Sequence, residues 1–326
     1  MNGNHTFKLS ETGFQRFREL VNRAGGVAIT HAGKDLLRKG LAARAGALGV
    51  TTLEDYYRLL TTDINREEEV RRLLRQLSVP DTRFFRNQSQ FDVLHKYIIP
   101  ELARRKLEER RVLRFWCAGC STGEEPYSVA MTLLDSLPDR DNWKVEVLAT
   151  DLNEQALDQA RRGWYQKSRM AGVGQPQRER YFHRSDGGFQ VNDEVRRLVT
   201  FTRHNLVNDP LPIEVYGICD VVFCRNVIIY FTHSTAGFVI EHFFDIINPG
   251  GYLFLGHSET LWKLSARYAL VEIGGTFIYS KPLPTSLSGR RFIPDRRMRD
   301  SGLPPGVDDD RRVSGSDRRA TEQSAI

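Results

Sequence analysis

One stretch constrains the fold of this chain more than any other feature: residues 115–128 read Phe-Trp-Cys-Ala-Gly-Cys-Ser-Thr-Gly-Glu-Glu-Pro-Tyr-Ser. The apolar run 112–116 is short enough for a buried strand, and the apolar residues Val129, Leu133 and Leu137 follow helical spacing. The two glycines between them let the backbone turn tightly and approach a ligand closely. The stretch therefore predicts the strand, turn and helix that open a nucleotide-binding α/β sheet.

The same turn disfavours two common nucleotide sites. It does not read Gly-x-Gly-x-x-Gly, and no Gly-Lys-Ser/Thr follows, which argues against a dinucleotide site and a P-loop. The adjacent carboxylates of Glu124 and Glu125 would repel a phosphate. They suit a ligand that is rich in hydroxyls or positively charged, such as S-adenosylmethionine with its ribose and sulfonium.

Length and composition limit the class of protein. At 326 residues the chain is long enough for two domains. No apolar run approaches the ~18 residues of a membrane span, and the polar N-terminus lacks the apolar core of a signal peptide. Four cysteines do not indicate a disulfide framework in a chain of this length. We therefore expect a reduced, cytoplasmic protein without membrane insertion, and a monomer.

The net charge of +6 is unevenly distributed. Basic residues outnumber acidic ones by 13 to 9 over residues 1–75 and by 9 to 7 over residues 284–326, while residues 76–283 balance at 25 each. The basic N-terminal segment fits an acidic partner, and it fits a solvated helix face equally well. No basic module with interleaved aromatic residues is present, so we expect no nucleic-acid partner.

Residues 8–77 predict an all-helical N-terminal domain. Ser10 is a candidate N-cap of the first helix, Thr52 with Asp55 resembles a capping box at the third, and Asn65 caps the fourth. The glutamates at 67–69 begin this fourth helix, where its dipole favours acidic residues. A linker at residues 78–90 follows.

Residues 91–283 alternate strands and helices. Residues 144–151 predict a second strand that ends on Asp151, where an acid can bind ribose hydroxyls. Further buried strands are predicted at 220–224 and 252–255, and the pair Gly274-Gly275 predicts a final hairpin. The fold class is therefore α/β, with the Rossmann-like sheet of an S-adenosylmethionine-dependent methyltransferase behind an all-helical N-terminal domain.

Residues 170–204 interrupt this alternation. We interpret 180–183, 188–191 and 198–201 as three short strands of a small antiparallel β-insertion, with a turn at 186–188. From residue 284 to 326 the chain contains mainly Pro, Gly, Ser, Arg and Asp, and we predict a disordered tail there.

Six motifs together resemble the chemotaxis protein methyltransferases, enzymes that methylate glutamates on bacterial chemoreceptors. The motifs are Thr-Arg-Phe-Phe-Arg at 82–86, Ala-Gly-Cys-Ser-Thr-Gly-Glu-Glu-Pro-Tyr-Ser at 118–128, Ala-Thr-Asp-Leu at 149–152, Asn-Leu at 205–206, Phe-Cys-Arg-Asn-Val-Ile-Ile-Tyr-Phe at 223–231 and Gly-His-Ser-Glu at 256–259. The resemblance covers roughly residues 8–282 in family order. It implies S-adenosylmethionine as cofactor and S-adenosylhomocysteine as product. The implied partners are the cytoplasmic methylation helices of chemoreceptors.

The resemblance also implies the site residues. It places Thr82 and Arg86 at the methionine end of the cofactor and Asp151 on its ribose. Glu125 would hold a polar group of the cofactor, and the rest of the cofactor site would comprise Asn205, Leu206, Arg225 and Asn226. Arg86 and Tyr230 would lie nearest the transferred methyl, which makes them the candidate catalytic residues. Many members carry Asn where this chain has Pro80.

The chemistry needs orientation more than proton transfer. Methyl transfer to a carboxylate is an in-line displacement on a sulfonium, and a glutamate is already ionised at neutral pH, so no general base is required. Orientation alone contributes ~7–11 kcal/mol, and the site also removes water from the nucleophile. An arginine fork and a tyrosine hydroxyl suit such positioning.

The insertion bears on how the substrate is found. Some family members use it to hold a short peptide at the receptor's C-terminus, and these carry a longer Gly-containing loop there. The turn at residues 184–189 is short in this chain. We therefore expect an enzyme that does not depend on the peptide.

Other functions fit the sequence less well. Cys117 and Cys120 have thioredoxin-like spacing, but they lie at a strand end and in a ligand-facing loop. Cys219 and Cys224 are poorly spaced for zinc, so we expect no metal, and residues 257–259 lack the nucleophile elbow of a hydrolase. An NAD-dependent oxidoreductase fits Asp151 but not the glycine pattern. A non-enzymatic cofactor-binding scaffold that acts through its N-terminal helices is a further alternative.

Overall fold

The structure, a computed structural model, describes residues 7–77, 81–107, 111–137 and 139–284. The tail that we predict to be disordered lies outside these residues from position 285 onwards, and so does Pro80. Among the helices described, none is both long and apolar enough to cross a membrane.

The N-terminal part of the chain is helical, as predicted. It contains α1 (Glu11–Gly25), α2 (Lys34–Ala47), α3 (Leu53–Thr62) and α4 (Arg66–Leu77). Fully buried apolar side chains from all four helices meet in one core, among them Phe14, Leu41, Tyr56 and Leu73. The core of these helices is thus separate from the two cores that flank the sheet described below.

Two of the three predicted caps, Ser10 and Thr52, are confirmed, and the cap at Asn65 stays a prediction. The hydroxyl of Ser10 accepts a hydrogen bond from the N–H of Gly13 at 3.0 Å, and the hydroxyl of Thr52 accepts one from the N–H of Asp55 at 3.1 Å. Gly26 ends α1 with a φ of 72°, a left-handed conformation that glycine adopts without strain.

A buried ion pair joins three of the four helices. Glu69 on α4 is only 5% exposed and receives two hydrogen bonds from Arg44 on α2, at 2.8 and 2.6 Å. The hydroxyl of Tyr56 on α3 donates to the same carboxylate at 2.8 Å. The sequence indicates only a dipole role for the glutamates of this turn, because a single sequence does not show which of them faces the core.

The body of the protein is built on two sheets. Its strands are β1 (Val112–Ala118), β2 (Lys144–Asp151), β3 (Trp164–Tyr165), β4 (Phe182–Ser185), β5 (Gly188–Val191), β6 (Val199–Arg203), β7 (Cys219–Cys224), β8 (Ile247–Leu255), β9 (Ala269–Ile273) and β10 (Thr276–Ser280). The large sheet has the order β6-β2-β1-β7-β8-β10-β9. Its strands from β6 to β8 are parallel, and β10 is antiparallel to both β8 and β9. This sheet confirms the predicted fold class.

Helices cover both faces of the large sheet. They are α5 (Gln88–Val93), α6 (Ile99–Arg105), α7 (Glu124–Ser136), α8 (Glu154–Arg162), α9 (Gln175–Tyr181), α10 (Asp193–Arg196), α11 (Ile213–Tyr216) and α12 (His233–Ile246), with a π-helical turn at Leu94–Ile98 between α5 and α6. Alternate residues of β1 enter different cores: Phe115 packs with residues of α7, and Trp116 packs with residues of α12. The part of β1 that is buried on both faces, residues 115–118, is therefore apolar at every position.

The small sheet corrects one prediction. Its order is β3-β5-β4, and Asp186 and Gly187 form the tight turn between β4 and β5 with φ values of 47° and 76°. The assignment of residues 198–201 to this insertion is wrong, because Val199–Arg203 pairs in parallel with β2 at the edge of the large sheet. Alternating apolar residues predict a strand but not its partner, and the two-residue strand Trp164–Tyr165 is too short to show any alternation.

The buried ion pair yields a stability prediction. We expect Glu69→Ala to lower the free energy of unfolding by about 3 kcal/mol or more, because it leaves Arg44 buried without its partner. Glu68→Ala on the same helix is the control. Its side chain is 48% exposed and forms only surface ion pairs, so a change below about 1 kcal/mol is expected. Urea titration followed by circular dichroism measures both, and equal losses would contradict the structural role of Glu69.

Candidate functional site

One cavity lies at the carboxyl ends of four neighbouring strands of the large sheet. Gly119 follows β1, Asp151 ends β2, His204 follows β6 and Arg225 follows β7, and all four line the cavity. Ligand sites of open α/β sheets lie at this edge. All nine candidate residues from the sequence line the same cavity: Thr82, Arg86, Glu125, Asp151, Asn205, Leu206, Arg225, Asn226 and Tyr230.

The turn after β1 is held against β2. The N–H groups of Gly119 and Cys120 both donate to the carbonyl of Thr150 at 2.8 Å. Gly119 has a φ of 83°, and a Cβ at this position would lie 2.4 Å from Val227. Only glycine therefore allows the turn and the loop after β7 to approach this closely.

Asp151 organises both loops beside it. One carboxylate oxygen accepts from the N–H of Ser121 and the other from the N–H of Asn153, each at 2.8 Å. Burial raises the pKa of the Asp151 carboxyl, and these backbone donors oppose the rise. The predicted ribose contact would add to this loop-holding role, because each carboxylate oxygen has a second lone pair.

Glu125 and Arg225 form a buried pair in the wall of the cavity. Nη1 of Arg225 lies 3.3 Å from Oε2 of Glu125, and Nη2 donates to the carbonyl of Arg86. Burial raises the pKa of Glu125 and lowers that of Arg225, while the charge of each partner opposes both shifts. Arg225 thus links this wall of the cavity to the segment that carries Arg86.

Unpaired donors face this region. Nε of Arg225 and the hydroxyl of Ser121 are buried and make no hydrogen bond within the described part of the chain. Buried polar atoms normally have partners, so these atoms can serve a polar ligand. Together with the carboxylates of Glu125 and Asp151 and the apolar walls of Leu206 and Val227, they fit a cofactor with hydroxyls, a carboxylate and a sulfonium.

The Arg86 segment is rigid and strained. Arg86 donates to the carbonyl of Asp81 at 2.8 Å and lies 3.2 Å from the Asp81 carboxylate. Its neighbour Phe85 has a φ of 50°, which is unfavourable for a bulky residue, and Asn87 has a φ of 64°, which asparagine tolerates better. The N–H of Phe85 donates to the hydroxyl of Ser128 at 3.0 Å and ties the segment to α7. Strain of this kind concentrates at functional sites.

The β-insertion supports the same segment. Phe84 is fully buried and packs edge-on against Tyr165 and Phe182, with ring centroids 4.8 and 5.4 Å away. A Cβ at Gly172 would lie 2.1 Å from the carbonyl oxygen of Phe84. The insertion therefore positions the segment that carries Arg86, a role that the sequence does not reveal.

A single carboxylate shapes the loop that ends at Tyr230. Glu259 accepts hydrogen bonds from the N–H groups of Asn226, Val227 and Gly256 at 2.7, 2.9 and 2.7 Å, and from that of Ile229 at 3.3 Å. The Gly-His-Ser-Glu motif thus serves the structure of the site, in agreement with its interpretation as non-hydrolytic.

The helical domain closes one side of the cavity. Gly25, Val27, Leu74 and Leu77 line it, and sequence patterns gave no signal for them because they resemble ordinary core positions. The N–H of Ala28 donates to the carbonyl of Tyr230 at 2.6 Å. The cavity is thus assembled from both parts of the chain.

Asn205 has a structural part in the site that the sequence does not reveal. Its side-chain amide donates to the carbonyl of Ala24 on α1 at 2.8 Å, and its side-chain oxygen accepts from the N–H of Val207 at 3.0 Å. Its main-chain carbonyl accepts from the N–H of Asp209 at 3.0 Å. Asn205 lines the cavity, but its side chain docks the helical domain. A direct contact with the cofactor stays a prediction.

The thiols and possible metal ligands give no competing site. All four cysteines are free and buried, and burial raises the pKa of Cys117 and Cys120, which disfavours the reactive thiolate. Among the described residues no group of three or more His, Cys, Asp or Glu side chains is placed to bind a metal ion.

The strand order, the glycine turn after β1 and the acid that ends β2 define an S-adenosylmethionine-dependent methyltransferase. Two family models match the chain: "CheR methyltransferase, all-alpha domain" over residues 12–78 and "CheR methyltransferase, SAM binding domain" over residues 80–275. The chain belongs to the CheR family of chemotaxis protein methyltransferases, and its cofactor is S-adenosylmethionine.

Curated relatives agree with this assignment. Chemotaxis protein methyltransferase 2 of Pseudomonas aeruginosa is 34% identical over 85% of this chain and 96% of the relative. Chemotaxis protein methyltransferase 2 of Vibrio cholerae is 30% identical over 84% and 94%, and the chemotaxis protein methyltransferase of Escherichia coli is 34% identical over 80% and 89%. A solved O-methyltransferase family protein from Burkholderia thailandensis has a TM-score of 0.36 and 13% identity over 76% of this chain and 72% of that chain, which is too low to add support.

Asp151 gives a prediction for cofactor binding. Asp151→Ala should weaken S-adenosylmethionine binding by about 1.5–3 kcal/mol, since it removes a charged acceptor and releases two backbone donors. Asp158→Ala is the control, because this carboxylate is 56% exposed on α8 and pairs only with Arg161. Isothermal titration calorimetry measures both affinities. An unchanged affinity in Asp151→Ala would remove this residue from the cofactor site.

Proposed function

We propose that this protein is a protein-glutamate O-methyltransferase that methylates glutamate side chains of chemoreceptors during chemotaxis adaptation. The products would be glutamate methyl esters and S-adenosylhomocysteine. The observation that carries the proposal is that one cavity contains both the cofactor-site residues and the pair Arg86 and Tyr230. Family membership supports it, because the curated relatives carry the name chemotaxis protein methyltransferase.

The proposed chemistry requires positioning and no general base. The cofactor, when bound, supplies an electrophilic methyl group on a sulfonium. A glutamate substrate is ionised at neutral pH and needs no deprotonation. The chain's own residues then hold the carboxylate in line and displace water from it.

Arg86 and Tyr230 are the residues that we assign to this positioning. Asp81 and the strained backbone fix the guanidinium of Arg86, which reduces the entropy lost when a carboxylate binds. Tyr230 is 43% exposed, and its hydroxyl makes no hydrogen bond within the described residues. Its main chain is held by Val227 and Ala28, so the free hydroxyl can be directed to one carboxylate oxygen.

The N-terminal helices are the proposed docking surface for the substrate. Residues 1–75 carry four of the six excess positive charges of the chain, and the methylation helices of receptors would supply the acidic complement. Attraction between exposed charges decreases with ionic strength, so rising salt should weaken this contact.

Transfer of a labelled methyl group tests the proposed reaction. The protein is incubated with S-adenosylmethionine that carries tritium on the methyl group, and with host membranes that contain chemoreceptors. A carboxyl methyl ester releases the label as volatile methanol in mild base, whereas an N-methyl group does not. Base-labile label on receptor bands is the expected result. Base-stable label, or no label on receptors, would contradict the proposal.

Variants of the two candidate catalytic residues should separate chemistry from binding. Arg86→Ala and Tyr230→Phe should each lower kcat by about tenfold or more, the effect of one lost charge-assisted hydrogen bond. Their affinity for S-adenosylhomocysteine should change less. Tyr97→Phe serves as a control, since Tyr97 is 41% exposed on the π-helical turn outside the cavity. If kcat and the affinity for S-adenosylhomocysteine decrease by the same factor, both residues act only in cofactor binding.

We also propose that the enzyme does not need a receptor-terminal peptide. The turn between β4 and β5 consists of Asp186 and Gly187 alone, which leaves little chain to enclose the side chains of a peptide added at the sheet edge. Calorimetric titration with a receptor C-terminal pentapeptide should give no heat signal, while S-adenosylhomocysteine binds in the same preparation. Micromolar binding of the pentapeptide would overturn this prediction.

A further inference from the structure

Three arginines line the cavity, and their charges are not equally compensated. Arg225 lies 3.3 Å from Glu125, and Arg86 lies 3.2 Å from Asp81. Arg83 has no hydrogen bond, ion pair or ring contact with any other residue in the described part of the chain, and it is exposed. The rim of the cavity therefore carries one positive charge that no side chain among the described residues neutralises.

The backbone beneath this charge is fixed. The next residue, Phe84, is completely buried between Tyr165 and Phe182, and the N–H of Phe85 is bound to the hydroxyl of Ser128. The side chain of Arg83 therefore has no partner among the described residues, while the main chain that carries it is held in place. Such an arrangement presents the guanidinium to a ligand without any movement of the chain.

The chemistry of the site limits what Arg83 can bind. Buried donors are already available to the cofactor, because Nε of Arg225 and the hydroxyl of Ser121 make no hydrogen bond among the described residues. The carboxylate that accepts the methyl must keep its electron pair available, and a second tight arginine on it would reduce its nucleophilicity. An exposed cation at the mouth is best matched by a different carboxylate of the incoming protein.

We propose that Arg83 is a specificity-determining residue that pairs with a second acidic side chain of the substrate, within one helical turn of the acceptor glutamate. This inference rests on the proposed function, in which the substrate is a receptor helix. Residues three or four apart lie side by side on a helix, about 5–6 Å between Cβ atoms, so both carboxylates can face the cavity. The enzyme then prefers acceptor glutamates that have an acidic neighbour over isolated ones.

A double-mutant cycle tests the pairing. One substrate is a receptor cytoplasmic fragment with a single acceptor glutamate, in which all other acidic residues within a turn are replaced by their amides. The second substrate restores one glutamate four residues from the acceptor. Wild-type protein should methylate the second about three- to fivefold faster in kcat/KM at low salt, and 0.5 M salt should reduce the difference.

Two variants test whether Arg83 causes this preference between the fragments. Arg83→Gln should lose the preference between the fragments through a higher KM for the second one, while its affinity for S-adenosylhomocysteine stays within twofold. Arg104→Gln removes an equal charge from an exposed position on α6 that does not line the cavity, and it should keep the full preference. A preference retained in Arg83→Gln, or a loss of S-adenosylhomocysteine affinity in its place, would overturn the assignment.

A binding measurement tests the role of Arg83 independently of the methylation reaction. If wild-type protein methylates neither fragment, the proposed function fails. Fluorescence anisotropy of the labelled fragments with the S-adenosylhomocysteine-loaded protein then decides the role of Arg83. Tighter binding of the restored fragment by wild type, but not by Arg83→Gln, supports the pairing, and equal binding of both fragments by wild type contradicts it.

Discussion

The end of α1 is the contact on which the geometry of the site depends. The last carbonyls of a helix have no partner within the helix, and here the body of the protein supplies the donors. The amides of Asn205 and Asn208 each reach the carbonyl of Ala24 at 2.8 Å. The chain then turns through Gly26, where a Cβ would lie 2.7 Å from Val207, and pairs with the loop of Tyr230. The helical domain is thereby part of the cavity wall.

The carboxylates of Glu125 and Asp151 lose hydration in the cavity wall, and a cationic ligand would offset this loss. Burial raises the pKa values of Glu125 and Asp151, since a carboxylate loses hydration when it is enclosed by protein. A bound sulfonium favours the ionised forms of both groups. Protons therefore compete with such a ligand, and affinity for it falls as the pH decreases through the raised pKa values.

The sequence predicts the individual strands and turns of this structure better than the contacts between them. The strand at 144–151 and the hairpin turn at Gly274-Gly275 agree with the predicted residues, because local patterns specify them. All nine candidate residues line one cavity, and those at strand ends, such as Asp151, Asn205 and Arg225, meet there because the ends of neighbouring parallel strands converge. Sequence patterns describe single elements. They therefore place Val199–Arg203 in the wrong sheet, and they miss the buried pair of Glu69 and Arg44.

The carboxylate of Glu259 is held by backbone hydrogen bonds, and this affects how the protein responds to salt. Its charge is balanced by four peptide N–H groups, and no ion pair with it is present among the described residues. Peptide dipoles at hydrogen-bonding distance are little affected by dissolved ions, whereas an exposed cation such as Arg83 is screened within about 10 Å at 0.1 M salt. The loop that carries Tyr230 should therefore keep its shape at ionic strengths that weaken the hold on a protein substrate. Capture of the substrate and alignment of the reacting groups can then vary independently when the surrounding salt concentration changes.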